Sequence, residues 1–140
     1  MRYGILFCGL AAVLFSACSS GPKPIPFAQT RALASAHPPL ADLEQQIATK
    51  KVEQDSLEQR LVELEEKRLQ SPKDENLKKQ LDRLEKENAL CQAELAALIG
   101  RHQLESARLL KRPDVEAHEK TVTKLNEKVT ERRNALAGGK

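Results

Sequence analysis

The sequence predicts an all-α protein: an antiparallel three-helix bundle or a long helical hairpin of coiled-coil type, following a disordered Pro-rich N-terminal linker. Three observations carry this expectation. The chain has 140 residues, 31% charged and 40% apolar, but only 3% aromatic, and no aromatic residue follows Phe27. Such an aromatic-free, Leu/Glu/Lys/Gln-rich stretch is the composition of long helices and coiled coils. From residue 40 onward, apolar residues recur at alternating spacings of three and four, the period of one helix face. Prolines at 72 and 113 then divide that run into three segments. The composition also excludes some function classes. Platforms that stack single-stranded nucleic acid use aromatic rings, as do most ligand pockets, and none is available after Phe27.

The first element is residues 1–17. Arg2 precedes an apolar run from Gly4 to Phe15, followed by small residues, which is the order of a secretory signal peptide. The run is too short to span a bilayer, which needs roughly 20 apolar residues. It ends in Leu14-Phe15-Ser16-Ala17-Cys18, a sequence that resembles the lipobox of bacterial lipoproteins. The resemblance covers the leader alone. It implies that Cys18 becomes the mature N-terminus and carries a diacylglycerol thioether and an N-acyl chain such as palmitate. Two or more chains suffice for stable anchoring, at about 0.8 kcal/mol per buried methylene. Ser19 stands where an Asp would favour inner-membrane retention in the enterobacterial members. The resemblance therefore implies an outer-membrane lipoprotein facing the periplasm.

Residues 18–39 hold Pro22, Pro24, Pro26, Pro38 and Pro39 with Ser and Ala between them, and read as an extended spacer. At about 3.1 Å per residue it reaches up to roughly 60 Å. Phe27 is the one Phe, Tyr or Trp there and reads as a local contact.

Residues 40–137 form the helical domain. Leu40, Leu43, Ile47, Leu57, Leu61 and Leu64 make the first stripe, with Lys50 and Gln54 as polar intrusions, over a helix expected from Leu40 to Gln70. Ser71-Pro72-Lys73-Asp74 reads as a break followed by a new start, with Ser71 as N-cap. Leu77, Leu81, Leu84, Asn88, Cys91, Leu95, Leu98, His102 and Leu109 form the second stripe, ending at the basic pair Lys111 and Arg112. On its polar face Asp74–Lys78, Glu75–Lys79 and Asp82–Lys86 are spaced for i,i+4 ion pairs. Pro113, Asp114 and Glu116 open the third helix, with its stripe at Val115, His118, Val122, Leu125, Val129, Arg132 and Leu136. A shift of about 41 residues superposes Leu40, Leu81 and Val122, and also Pro72 and Pro113, so the unit repeats as helix plus proline. That period is not a multiple of seven, which favours helices folding back over one continuous coiled coil. The competing arrangement is a kinked rod that oligomerises along its length. Such a seam is thin for a monomer, and self-association or a partner helix would remedy that.

The candidate helix–helix interface is Asn88, Cys91 and Leu95. Cys91 is the thiol that remains once the leader is removed and Cys18 acylated; it reads either as a small buried hydrophobe or as half of an intermolecular disulfide. Asn88 either fixes register, as buried seam amides do, or is simply tolerated at a partly wet seam. His102 and His118 flank the second turn near Glu105 and Glu116, but with no HExxH, CxxC or other close ligand spacing they read as ordinary histidines. There is no GxSxG elbow, no Gly-rich phosphate loop and no carboxylate pair set apart from lysine and arginine, so no catalytic residue, cofactor or metal is expected and the protein reads as non-enzymatic. A net charge of +3 spread along the chain does not suit nucleic acid.

Residues 138–140, Gly138-Gly139-Lys140, form a flexible tail. A lipidated cysteine followed by serine, a polar coiled-coil body and a terminal lysine together look like the Braun-type murein lipoprotein. That resemblance implies joining of the Lys140 amine to the peptidoglycan stem; a chain folding back as three helices is expected to leave its two ends at opposite ends of the bundle, which permits bridging. The chain departs from the pattern in its length, its prolines and the Gly-Gly before the lysine. The functional expectation is a non-catalytic, lipid-anchored component of the cell envelope, structural or adaptor in role. The alternatives are a wall tether through Lys140 or an accessory lipoprotein of a secretion, conjugation or efflux assembly. Its partners would be membrane lipid through Cys18, a second copy or an envelope protein along the seam, and peptidoglycan in the tether reading.

Overall fold

A computed structural model describes residues 21–138; Cys18, the leader and Lys140 lie outside the described residues. Among the described residues the protein is all-helical, with α1 at Phe27–Ala34, α2 at Pro38–Gln70, α3 at Glu75–Leu109 and α4 at Val115–Ala137. The three long helices form an antiparallel bundle. Glu44 and Lys50 of α2 face His102 and Glu94 of α3, and Leu125 and Arg133 of α4 face Gly100 and Glu94. In both pairs of helices one number rises as the other falls.

The bundle is open. Helix α3 lies in the middle and packs along both α2 and α4, which do not pack against each other. Two stripes on α3 make this possible. One contains Leu84 and Cys91, which form the buried cluster with Leu57, flanked by Leu61 and Leu64 of α2. The other is built mostly of small residues: Ala93, Ala97 and Ala107, together with Leu104, are buried and share the face of Gly100 at helical spacing. A β-carbon on Gly100 would stand 2.8 Å from Leu125 Cδ1, so glycine sets the closest approach of α4.

Each helix boundary has a local cause. Pro38 and Pro39 do not delay α2 but occupy its first turn, where the missing N–H has no intrahelical partner to lose. Ser71 is the C-cap of α2, which ends there because the following proline keeps Ser71 out of helical geometry; it is not the expected N-cap of α3, which starts only at Glu75. Asp74 takes the capping role, and its carboxylate accepts from the Asn76 and Leu77 amides at 2.8 and 3.2 Å. Being used this way, Asp74 does not pair with Lys78, which bonds Glu75 instead, while the Asp82–Lys86 pair forms at 2.7 Å. Asp74→Ala is expected to lower the stability of the chain by about 1 kcal/mol, measured by thermal denaturation. Helix α3 ends in a Schellman motif: the Arg112 amide donates to the Ala107 carbonyl and the Lys111 amide to that of Arg108. Lys111 takes the left-handed position usually given to glycine, with φ 51°.

The second half of the Pro-rich linker differs from the expected extended spacer. Residues 27–34 are helical, and Ile25, Thr30, Ala34 and Leu40 are buried. The Ile25 amide donates to Gln103 Oε1 at 2.7 Å, and Gln103 Nε2 returns a bond to the Ile25 carbonyl at 3.4 Å. The prolines before Phe27 and after His37 bracket a stretch free of proline, FAQTRALASA, whose alanines and leucine have good helix propensity. This strap consumes most of the spacer.

The two chain ends, expected at opposite ends of the bundle, lie outside the described residues. Ile25 sits beside Gln103, and Ala135 of α4 shares a groove with Lys86 and Ala89 of α3. At about 1.5 Å per helical residue, Ile25 and Gly138 are separated by roughly 20–25 Å along the axis. The Ser71–Asp74 turn forms the far tip, about 40 Å from Ile25 by the same measure.

Candidate functional site

Of the residues that the sequence singles out as an interface, Cys91 sits on the α2–α3 seam of the chain itself, in the cluster with Leu57 and Leu84. Cys91 is 2% exposed, with its sulfur 3.8 Å from the Lys50 carbonyl. Burial is the first cause that pushes its thiol up from the ordinary cysteine range, and the nearby Glu53 carboxylate adds to it. Both effects leave it protonated and unreactive, the behaviour of a small buried hydrophobe. A disulfide between copies requires the seam to open. Leu95 is half-buried two positions from Ala93. Asn88 is half-buried, and its Oδ1 is screened from water without a hydrogen-bond partner. The Asn88 amide oxygen is thus a shielded acceptor left unsatisfied among the described residues.

The polar intrusion of Lys50 in the α2 stripe is resolved by charge. Lys50 Nζ bonds Glu53 Oε2 at 2.7 Å on its own helix and Glu94 Oε2 at 3.0 Å on α3. These hydrogen bonds, that of Glu53 first, hold the ammonium well above the usual lysine range against the opposing effect of burial. Glu94 uses its other oxygen to accept from Arg133 Nη2 of α4 at 3.0 Å. Burial works against the Glu94 charge, but the bonds from Lys50 and Arg133 outweigh it and keep the carboxyl below its ordinary range. One carboxylate thus links three helices of which the outer two do not meet. Sequence spacing signals Lys50 as an intrusion, but Glu94 and Arg133 lie off the apolar stripes and give no sign of their role.

His102 and His118 do not converge. His102, 4% exposed, points its Nε2 at Glu44 Oε1 of α2 at 3.3 Å. His118, also 4% exposed, lies beside Asp114. Glu105 bonds Arg108, and Glu116 bonds Lys120. Among the described residues no three His, Cys, Asp or Glu side chains gather as a metal site. Arg132, placed by its spacing on the α4 stripe, is exposed and lines a shallow groove with Asp82, Glu85 and Lys86.

Apolar side chains left on the surface concentrate on α2. Val52, Val62 and Leu69 are 70%, 55% and 77% exposed, and Val62 and Leu69 stand one heptad apart near the far tip. No helix among the described residues is long and apolar enough to cross a membrane. No family model, curated protein or solved structure matches the chain.

Proposed function

We propose that this protein is a lipid-anchored, non-catalytic adaptor of the bacterial cell envelope, held at the outer membrane by acyl chains on Cys18 and facing the periplasm. The observation that carries the reading is the leader: a basic residue, an apolar run and Leu14-Phe15-Ser16-Ala17-Cys18 in that order. The body supports it by its chemistry. Long helices with charged outer faces suit helix-to-helix recognition, and Val62 with Leu69 on α2 presents a partner helix with two anchors at heptad spacing. The strap sets the reach. Six residues lie between Cys18 and Ile25, a span of at most about 25 Å at full extension, so the adaptor works close to the lipid surface.

The wall-tether reading is favoured by one observation: α4 ends at a Gly138 cap, two residues before Lys140 in the sequence. The intact mass of protein extracted from envelopes, with and without muramidase digestion, tests both readings. A lipid increment on a chain beginning at Cys18, with a free C-terminus, is the expected result. A muropeptide increment at Lys140 makes the protein a tether instead. Cys18→Ala is expected to move the protein from the membrane to the soluble fraction; its persistence in membranes would refute the anchor.

A further inference from the structure

His118 is the one described histidine whose burial is not matched by a partner. Its side chain is 4% exposed, and Nε2 is screened from water with no hydrogen bond. Asp114 Oδ2, at 3.8 Å, is too far for one. That carboxylate is already committed, since Arg112 bonds both its oxygens, Nε to Oδ1 at 2.9 Å and Nη2 to Oδ2 at 2.8 Å. By the register that sets Gly100 against Leu125 and Arg108 against Glu119, His118 comes level with the stretch of α3 from 104 to 108, whose buried members Leu104 and Ala107 carry no charge. Arg108 and Glu105, at the same level, bond each other, and Arg108 also bonds Glu119 of α4. An imidazolium here would meet apolar surface, one carboxylate shared with a guanidinium, and that guanidinium.

We propose that protonation of His118 releases α4 from α3, so that the α3–α4 turn is an acid-sensitive latch exposing the small-residue face of α3. The device is separate from membrane attachment and does not rest on it. The direction follows from the surroundings of the ring. Burial first, and the Arg112 charge after it, push His118 below the ordinary 6.5, and the attraction of Asp114 only partly opposes them. The docked state therefore binds fewer protons than the released one, and docking weakens as pH falls below about 6.5. Asp114 stays ionised through this window, because the Arg112 hydrogen bonds hold its carboxyl below the usual range.

The release is local because of how the bundle is built. The buried cluster of Leu57, Leu84 and Cys91 belongs to α2 and α3, and α4 adds nothing to it. Helix α4 holds on through half-buried Val122, Leu125 and Val129 and through ion pairs whose outer partners are exposed, Glu119 at 48% and Arg133 at 64%. Exposed pairs of this kind contribute little. Freeing α4 uncovers Ala93, Ala97, Leu104 and Ala107, a face onto which a second helix fits closely.

Hydrogen exchange of the full chain in detergent, at about pH 7 and about pH 5 with rates corrected for intrinsic exchange, tests this. Protection of the α4 amides is expected to fall about tenfold or more at the lower pH, while the central amides of α2 and α3 keep theirs. His118→Leu, which fills the site without a titrating group, is expected to abolish the response, and His118→Gln serves if the leucine variant does not fold. His102→Gln is expected to retain it. An unchanged α4 at low pH, equal loss in all three helices, or a response that survives in the folded His118 variant would overturn the proposal.

Discussion

Truncating Leu84 to alanine is expected to lower the unfolding free energy by about 3 kcal/mol, the middle of the range for emptying a buried leucine site. Leu84 is 3% exposed and meets Leu57, 8% exposed, at the centre of the cluster that holds α2 to α3. Few neighbours are buried as deeply. Leu61 and Leu64 on the facing helix are only partly covered, so little apolar mass surrounds the vacancy, and the seam has no second layer to close over it. For a small domain with a total stability of about 5–15 kcal/mol, this is a large fraction. Urea denaturation followed by circular dichroism reads the change directly. Val62→Ala is the matched comparison: it removes apolar surface that is already 55% exposed, and its effect is expected to stay within about 0.5 kcal/mol. A loss at Leu84 no greater than at Val62 would mean that this cluster does not hold the bundle together.

The stripe containing Leu84 was the most legible part of the molecule, and the reason is size. Leu57, Leu61, Leu64, Leu81, Leu84 and Cys91 are large or strongly apolar, so their three-four spacing stands out from a charged background. The antiparallel order was legible too, because proline interrupts the helical run twice. The other contact face of α3 left a fainter trace. Ala93, Ala97, Gly100 and Ala107 lack bulk, and alanine is common on exposed helix surfaces as well, so their periodicity carries little signal. The strap was hidden for a different reason. Flanking prolines dominate the local reading, and what fixes residue 25 is an amide–backbone pair with Gln103, 78 positions away. Among the candidate positions, Cys91 lies in the cluster between α2 and α3, but spacing alone does not say which helix covers a stripe. Glu94 shows the same limit from the charged side. Its value depends on Lys50 and Arg133 arriving from two helices, and only the folded chain brings them together.

Gly100 is the position where the small-residue face can be tested without touching the α2 seam. Gly100→Leu is expected to detach α4 while leaving the α2–α3 hairpin folded. The nearest atoms to a β-carbon there are Leu125 Cδ1 at 2.8 Å and Val122 Cγ2 at 3.6 Å, both from α4. A single methyl meets the mobile end of Leu125, which can turn aside, and alanine also brings a helix preference of about 1 kcal/mol over glycine. Gly100→Ala is therefore expected to be near neutral. A leucine adds three more carbons in the same direction, and overpacking of that kind costs about 1–3 kcal/mol. Half-buried Val122, Leu125 and Val129 are poorly equipped to absorb it. Circular dichroism should then lose a share of helix signal corresponding to the 23 residues of α4, roughly a quarter of the helical residues. The denaturant midpoint of the remaining signal should be largely preserved. If the leucine variant instead unfolds in one step with all three helices, α4 is a full structural partner of the hairpin and its release cannot be local. If the leucine and alanine variants match the parent in both helicity and midpoint, α4 does not pack as closely as the 2.8 Å approach requires.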